Sequence, residues 1–124
     1  MVAFFKSPSA NLDPIHQLER DLRVAAVDPT RFPRTSKLLS AGIAQQAKKT
    51  VEEATELAIE AVRGDRNAAL SEAADLLYNL VVLLEGMDMS FDDVRRELER
   101  RRDAYGIAAK LPKPGFGAAG LSVK

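Results

Sequence analysis

Leu76-Leu77-Tyr78-Asn79-Leu80-Val81-Val82-Leu83-Leu84 is the stretch whose reading decides the fold. Wound as a helix it is apolar around nearly its whole circumference, the pattern of a helix covered on most sides. Glu72 and Asp75 stand at its entrance, three residues apart. Burying such a pair is costly unless something neutralises it. Working outward toward the N-terminus, a second acidic pair, Glu53 and Glu56, lies on the preceding helical pattern, across Arg63-Gly64-Asp65-Arg66. So short a connection makes the two helices antiparallel neighbours.

Caps and breakers divide the rest of the chain into further helices. Asp13-Pro14 is a helix start, with Asp as N-cap and Pro in the first helical position. Ile15, Leu18 and Leu22 then share a face, so a first helix runs to about Ala26. Two prolines make Val27-Asp28-Pro29-Thr30-Arg31-Phe32-Pro33 a loop. Thr35 is placed to cap a second helix reaching Arg63, with Gly64 at its end. Gly42 inside that helix costs roughly 1 kcal/mol against alanine and marks where a kink or break would fall. Asp65 caps a third helix to Glu85, stopped by Gly86. Ser90-Phe91-Asp92-Asp93 resembles a capping box for a fourth, ending near Gly106.

No segment alternates with period two, and no repeat is visible. The expected fold is all-α, an antiparallel bundle of about four helices. Residues 1–12 read as an N-terminal arm, 13–110 as one domain and 111–124 as a Pro/Gly-rich tail. A chain of 124 residues holds one core. The third helix is too apolar for a lone bundle with a wet outer face. Ile59 and Val62 give the second helix an extra apolar edge. Both point to completion by homo-oligomerisation.

Composition narrows the chemistry. Hydrophobic residues make up 46% and charged residues 29%, and the formal net charge is zero. Nothing in that balance asks for nucleic acid or an anionic membrane. Cysteine is absent, which removes disulfides, thiolate nucleophiles and zinc–thiolate sites together. The apolar run in the first eight residues is too short for a signal peptide, so a cytoplasmic location is expected.

At 100° per residue Glu53, Glu56 and Glu60 fall in one strip, and Glu72, Asp75 and Asn79 in the facing one. Carboxylates converging there repel until cations bind or protons are taken up. Oxygen donors without Cys or His suit Mg²⁺, or Mn²⁺, with open positions for substrate phosphates. Either pair alone would be an ordinary solvated helix face, and Lys48–Glu52 and Lys49–Glu53 are spaced for surface ion pairs. The Glu72/Asp75 pair is harder to read so, because Ala73-Ala74 and Leu76-Leu77 surround it. A di-iron bundle needs Glu-x-x-His on two helices. The single histidine, His16, lies far from both pairs and reads as an exposed helix residue.

Glu52-Glu53-Ala54-Thr55-Glu56 followed by Glu72-Ala73-Ala74-Asp75-Leu76-Leu77-Tyr78 resembles the phosphoribosyl-ATP pyrophosphatase family, within the all-α, MazG-like nucleoside triphosphate pyrophosphohydrolases. The similarity runs from about Ile15 to Lys110 and takes in Leu38, Gly42, Lys49 and Gly64-Asp65-Arg66. It implies Mg²⁺-dependent hydrolysis of the α–β phosphoanhydride of phosphoribosyl-ATP, giving phosphoribosyl-AMP and pyrophosphate in histidine biosynthesis. It implies Glu53, Glu56, Glu72 and Asp75 as metal ligands and Glu52 beside them. Glu52 or Glu56 would then accept the attacking water's proton. It also implies a homodimer whose active site lies near the interface. Lys49, Asn79 and Thr35 are the candidate substrate contacts, with Arg34 and Lys37 nearby at a helix start.

The chain departs from the family pattern at four places. Val51 replaces a glycine, where it would block close approach of a ligand or backbone. Asn79 stands for a histidine, Ala41 for a lysine and Arg34 for a tyrosine. These changes keep two other readings open: a related pyrophosphohydrolase acting on another nucleotide, and a non-catalytic helical oligomerisation module.

Overall fold

The structure is a computed structural model that describes residues 13–106. The expected arm and tail lie outside them. The described residues form five α-helices and no strand: α1 Pro14–Val27, α2 Pro33–Ala41, α3 Ile43–Arg63, α4 Arg66–Gly86 and α5 Phe91–Tyr105. The chain divides into two compact units, the first ending at Phe91 and the second beginning at Asp92.

Most helix ends follow from the sequence. Asp13 caps α1, its Oδ1 accepting the amides of Ile15 at 2.8 Å and His16 at 3.2 Å. Asp65 caps α4 by accepting the Ala68 amide at 3.0 Å. The Gly64 and Asp65 amides both return to the Glu60 carbonyl, closing α3. Where the loop leaves α1, Asp28 Oδ1 accepts the amide and hydroxyl of Thr30. Those bonds hold the Asp28 carboxyl below its ordinary value.

The expected second helix is two helices. Gly42 sits at φ 97°, ψ 169°, a region that essentially only glycine adopts. The chain therefore turns between α2 and α3 rather than kinking. Nor does Thr35 cap α2: Phe32 is the N-cap position, with Pro33 as the first helical residue. The break leaves the last carbonyls of α2 without helical partners. Gln46, 2% exposed, reaches back from α3 and donates through Nε2 to the Leu38 and Leu39 carbonyls at 3.2 and 3.1 Å. Gly86 does not stop α4 but belongs to it. Its missing side chain admits Gln46, because a Cβ there would lie 2.3 Å from Gln46 Oε1.

The sign of the Gly42 effect is thereby reversed. In a continuous helix alanine would stabilise; here it must take a forbidden backbone conformation, although nothing crowds its Cβ. Gly42→Ala is expected to cost about 1–3 kcal/mol. Denaturant titration checks this, and a more stable variant would mean that α2 and α3 are continuous in solution.

Within the first unit α3 and α4 pack along each other as a helical hairpin, while α1 packs on α2 and α4. Leu22 of α1 and Val81 and Val82 of α4 form the buried centre. Ile15, Leu18, Leu38, Leu39, Leu77, Tyr78 and Phe91 surround it. Ser36 ties α2 to α1 by donating to the Ala25 carbonyl at 2.6 Å. Glu19 is buried, and its Oε2 accepts the Phe91 amide at 2.8 Å, as a buried carboxylate requires. His16 is half-buried, not exposed, with Nδ1 2.8 Å from Asp13 Oδ2.

By length and composition α4 is apolar enough to cross a membrane, yet it is the core helix of this unit. Only 22% of its apolar window is buried. Leu70 is 72% exposed, and Val51, Ile59 and Val62 of α3 are also exposed, as the extra apolar edge at Ile59 and Val62 predicts. In the second unit, α5 carries acids in its first turn and basic residues after them. Arg100 and Arg101 both hydrogen-bond Glu97 and draw its carboxyl down to about 2.

Candidate metal centre and nucleotide cleft

Gln46, Thr50 and Glu53 recur at i, i+4 and i+7, one stripe of α3. Thr50 donates to the Gln46 carbonyl and reaches the Asn79 carbonyl of α4 at 3.4 Å. This fixes the rotation of the hairpin. One turn beyond Thr50, Glu53 then faces α4 and is only 9% exposed.

Here the two acidic strips meet. One ligand-capable oxygen from each of Glu53, Glu56 and Glu72 falls within 4.8 Å of the others. Oε1 of Glu53 and Oε1 of Glu72 are buried without hydrogen-bond partners. As carboxylates neither can donate to the other. Removal from water raises the Glu72 carboxyl, and contact with Glu53 and the charge of Glu56 add to this, pushing it up to about 7. A proton is one way of relieving the group; a cation is the other.

Asp75 is not part of this group. It lies one turn after Glu72, is exposed, and lines a neighbouring cleft. Glu52 also stands outside it, 3.6 Å from Lys49 Nζ, while the same ammonium lies 3.7 Å from Glu53. Lys48 makes no ion pair with Glu52 among the described residues; Lys49 takes that place.

The cleft has a volume of about 930 Å³. Arg34, Thr35 and Lys37 come from α2, Lys49 and Glu53 from α3, and Asp75, Tyr78 and Asn79 from α4. It exists because Gly42 turns α2 back over the hairpin. The Thr35 hydroxyl and Tyr78 Oη are 2.6 Å apart and tie α2 to α4. Asn79 is 5% exposed, and its Nδ2 donates to the Asp75 carbonyl at 2.9 Å. All three expected substrate contacts, Thr35, Lys49 and Asn79, therefore line one cavity. Arg34 and Ala41, two of the family departures, line it as well. Val51 does not: it is 64% exposed and absent from the lining, so it obstructs no approach to this cleft.

Sequence reasoning missed Gln46 and the Tyr78–Thr35 contact. The seven-residue spacing from Gln46 to Glu53 was a usable signal for the first. The second joins residues 43 apart, and no local pattern announces it.

A model of the phosphoribosyl-ATP pyrophosphohydrolase family matches residues 15–102. Phosphoribosyl-ATP pyrophosphatase 2 of Bradyrhizobium diazoefficiens is 51% identical over 80 residues, covering 64% of this chain and 60% of that one. Phosphoribosyl-ATP pyrophosphatase 2 of Rhodopseudomonas palustris is 43% identical over 107 residues, covering 86% and 79%. Phosphoribosyl-ATP pyrophosphatase of Methylobacterium nodulans is 46% identical over 96 residues, covering 77% and 90%. The match runs from the first turn of α1 to the last of α5 and includes every carboxylate of the cluster: the chain belongs to the phosphoribosyl-ATP pyrophosphohydrolase family, hydrolases of histidine biosynthesis.

Proposed function

We propose that Glu53, Glu56 and Glu72 hold the catalytic metal, with Asp75 joining them from the cleft side, and that the cleft holds the nucleotide. The reaction is the family's: phosphoribosyl-ATP is hydrolysed to phosphoribosyl-AMP and pyrophosphate in histidine biosynthesis. One observation carries the placement. Glu53 belongs both to the three-carboxylate group and to the wall of the cleft, so a phosphate bound there meets the acidic centre.

The donors fit a small hard cation: oxygen only, mutually repelling, two of them buried and unpartnered. Mg²⁺, or Mn²⁺ in its place, would offset charge on the phosphate oxygens and activate water. Glu52, outside the ligand group, accepts the proton of the attacking water. Lys49 sets a positive charge beside Glu53, where the phosphates enter. Thr35 and Asn79, which both line the cleft, orient the nucleotide.

Pyrophosphate release with Mg²⁺ tests the reading, comparing phosphoribosyl-ATP with ATP and a panel of other nucleoside triphosphates. Clear preference for phosphoribosyl-ATP is expected. Preference for another nucleotide would instead make Arg34, Ala41 and Asn79 specificity changes on a shared metal site. Release from none of them, by a natively helical protein, would leave the non-catalytic module.

The exposed Val51, Ile59, Val62 and Leu70 on the α3–α4 hairpin support an antiparallel bundle completed by a second copy of the chain. Sedimentation equilibrium should return at least twice the 13.5 kDa of one chain; a monomer mass retires the dimer. A small nucleotide substrate, without nucleic acid or membrane, fits a cytoplasmic enzyme, which cell fractionation checks.

A further inference from the structure

Two of the cleft's cations are unaccounted for by the chemistry above. Arg34 and Lys37 lie three residues apart on the first turns of α2 and so share a face. Both line the cleft, and neither pairs with a carboxylate among the described residues. Lys49, by contrast, is engaged with Glu52 and Glu53. The turn that carries Arg34 and Lys37 is held in place: Thr35, between them, meets Tyr78, and Ser36 donates to the Ala25 carbonyl.

Their level in the cleft differs from that of the carboxylates. The Thr35–Tyr78 contact sets the first turn of α2 beside Tyr78 and Asn79 of α4. Along α4, Asp75 lies four residues and Glu72 seven residues before Asn79, about 6 Å and about 10 Å along the helix axis. The cleft is thus acidic at the end where Glu53 joins the carboxylate group and cationic at the other. A single compact phosphate chain has no need of two such ends. Phosphoribosyl-ATP carries two separate anions, the triphosphate and the 5′-phosphate of the added ribose; ATP carries only the first.

We propose that Arg34 and Lys37 form the specificity subsite that takes the 5′-phosphate of the phosphoribosyl arm while the triphosphate lies at the carboxylate end. This rests on the reading of the cleft as the nucleotide site. A guanidinium grips a phosphate monoester through two parallel hydrogen bonds, Lys37 adds a second charge, and the N-terminus of α2 favours an anion beside them.

The test is the ratio of kcat/KM for phosphoribosyl-ATP to that for ATP, in the wild type, Arg34→Ala, Lys37→Ala and the double variant. Both side chains are exposed, so circular dichroism should match the wild type. The ratio should fall about ten- to a hundredfold per residue, the size of a lost charge-assisted hydrogen bond, through KM rather than kcat. Arg34→Lys should recover part of it. Equal losses on both substrates would place the two cations on the triphosphate and overturn the proposal. A wild type that prefers phosphoribosyl-ATP, with variants whose ratio is unchanged, would overturn the subsite alone. A wild type without the preference would remove the functional reading and the subsite with it.

Discussion

Glu53→Gln should lower Mg²⁺-dependent kcat/KM by at least about a hundredfold, the scale of losing one transition-state charge contact. The substitution keeps the volume and removes only the charge. Glu53 is the member of the cluster that also faces the cleft, so under the proposed ligation the substitution would remove a ligand and disturb the point where phosphate would meet metal. Helicity should persist, because among the described residues the Glu53 carboxylate accepts no backbone hydrogen bond that holds the hairpin together. Removing one of three mutually repelling carboxylates should even relieve the metal-free protein, leaving its melting temperature equal or higher. Calorimetric titration with Mg²⁺ alongside the activity assay separates the two effects. Full activity in this variant would sink the metal assignment.

The second large effect is a pH dependence of metal binding. Without metal, Glu72 titrates at about 7 against an ordinary value of 4.5. A protonated Glu72 cannot serve as a ligand, so under the proposed ligation protons and Mg²⁺ would compete for one site. Apparent Mg²⁺ affinity should therefore fall as pH drops below about 7, approaching tenfold per pH unit, and level off above it. The stability sign follows from the same shift. A carboxyl raised on folding binds its proton more tightly in the folded chain than in the unfolded one. The metal-free protein is thus favoured by that proton at low pH and loses the contribution as pH rises from about 4.5 to about 7. Mg²⁺ takes the proton's place, so its protection against thermal unfolding should be greatest above neutrality. Titrations at about pH 6 and about pH 8 in buffers of different ionisation enthalpy count the protons released. An affinity that does not vary over this range would show that Glu72 is not a ligand.

Local chemistry determined much of this protein from the sequence alone. Asp13-Pro14 and Gly64-Asp65 mark helix ends because caps act over three or four residues. The approach of Glu53, Glu56 and Glu72 was legible because helical spacing and a short turn constrain which faces can meet. The surplus apolar surface of α3 and α4 was legible for the same reason.

The tertiary structure decided what depends on rotation and docking. Whether Gly42 bends a helix or ends one is settled by its backbone angles and by Gln46, which satisfies the carbonyls that the break exposes. That break, invisible to periodicity, turns α2 back and makes the cleft. A difference of about 100° per residue around a helix sends Val51 to the surface, while Asn79 is buried at the cleft wall. A further turn of α4 beyond Glu72 leaves Asp75 in the cleft rather than among the three carboxylates. The residue types name the chemistry, but only packing sets the phase of each helix against its neighbours, and that phase selects which of the named residues meet.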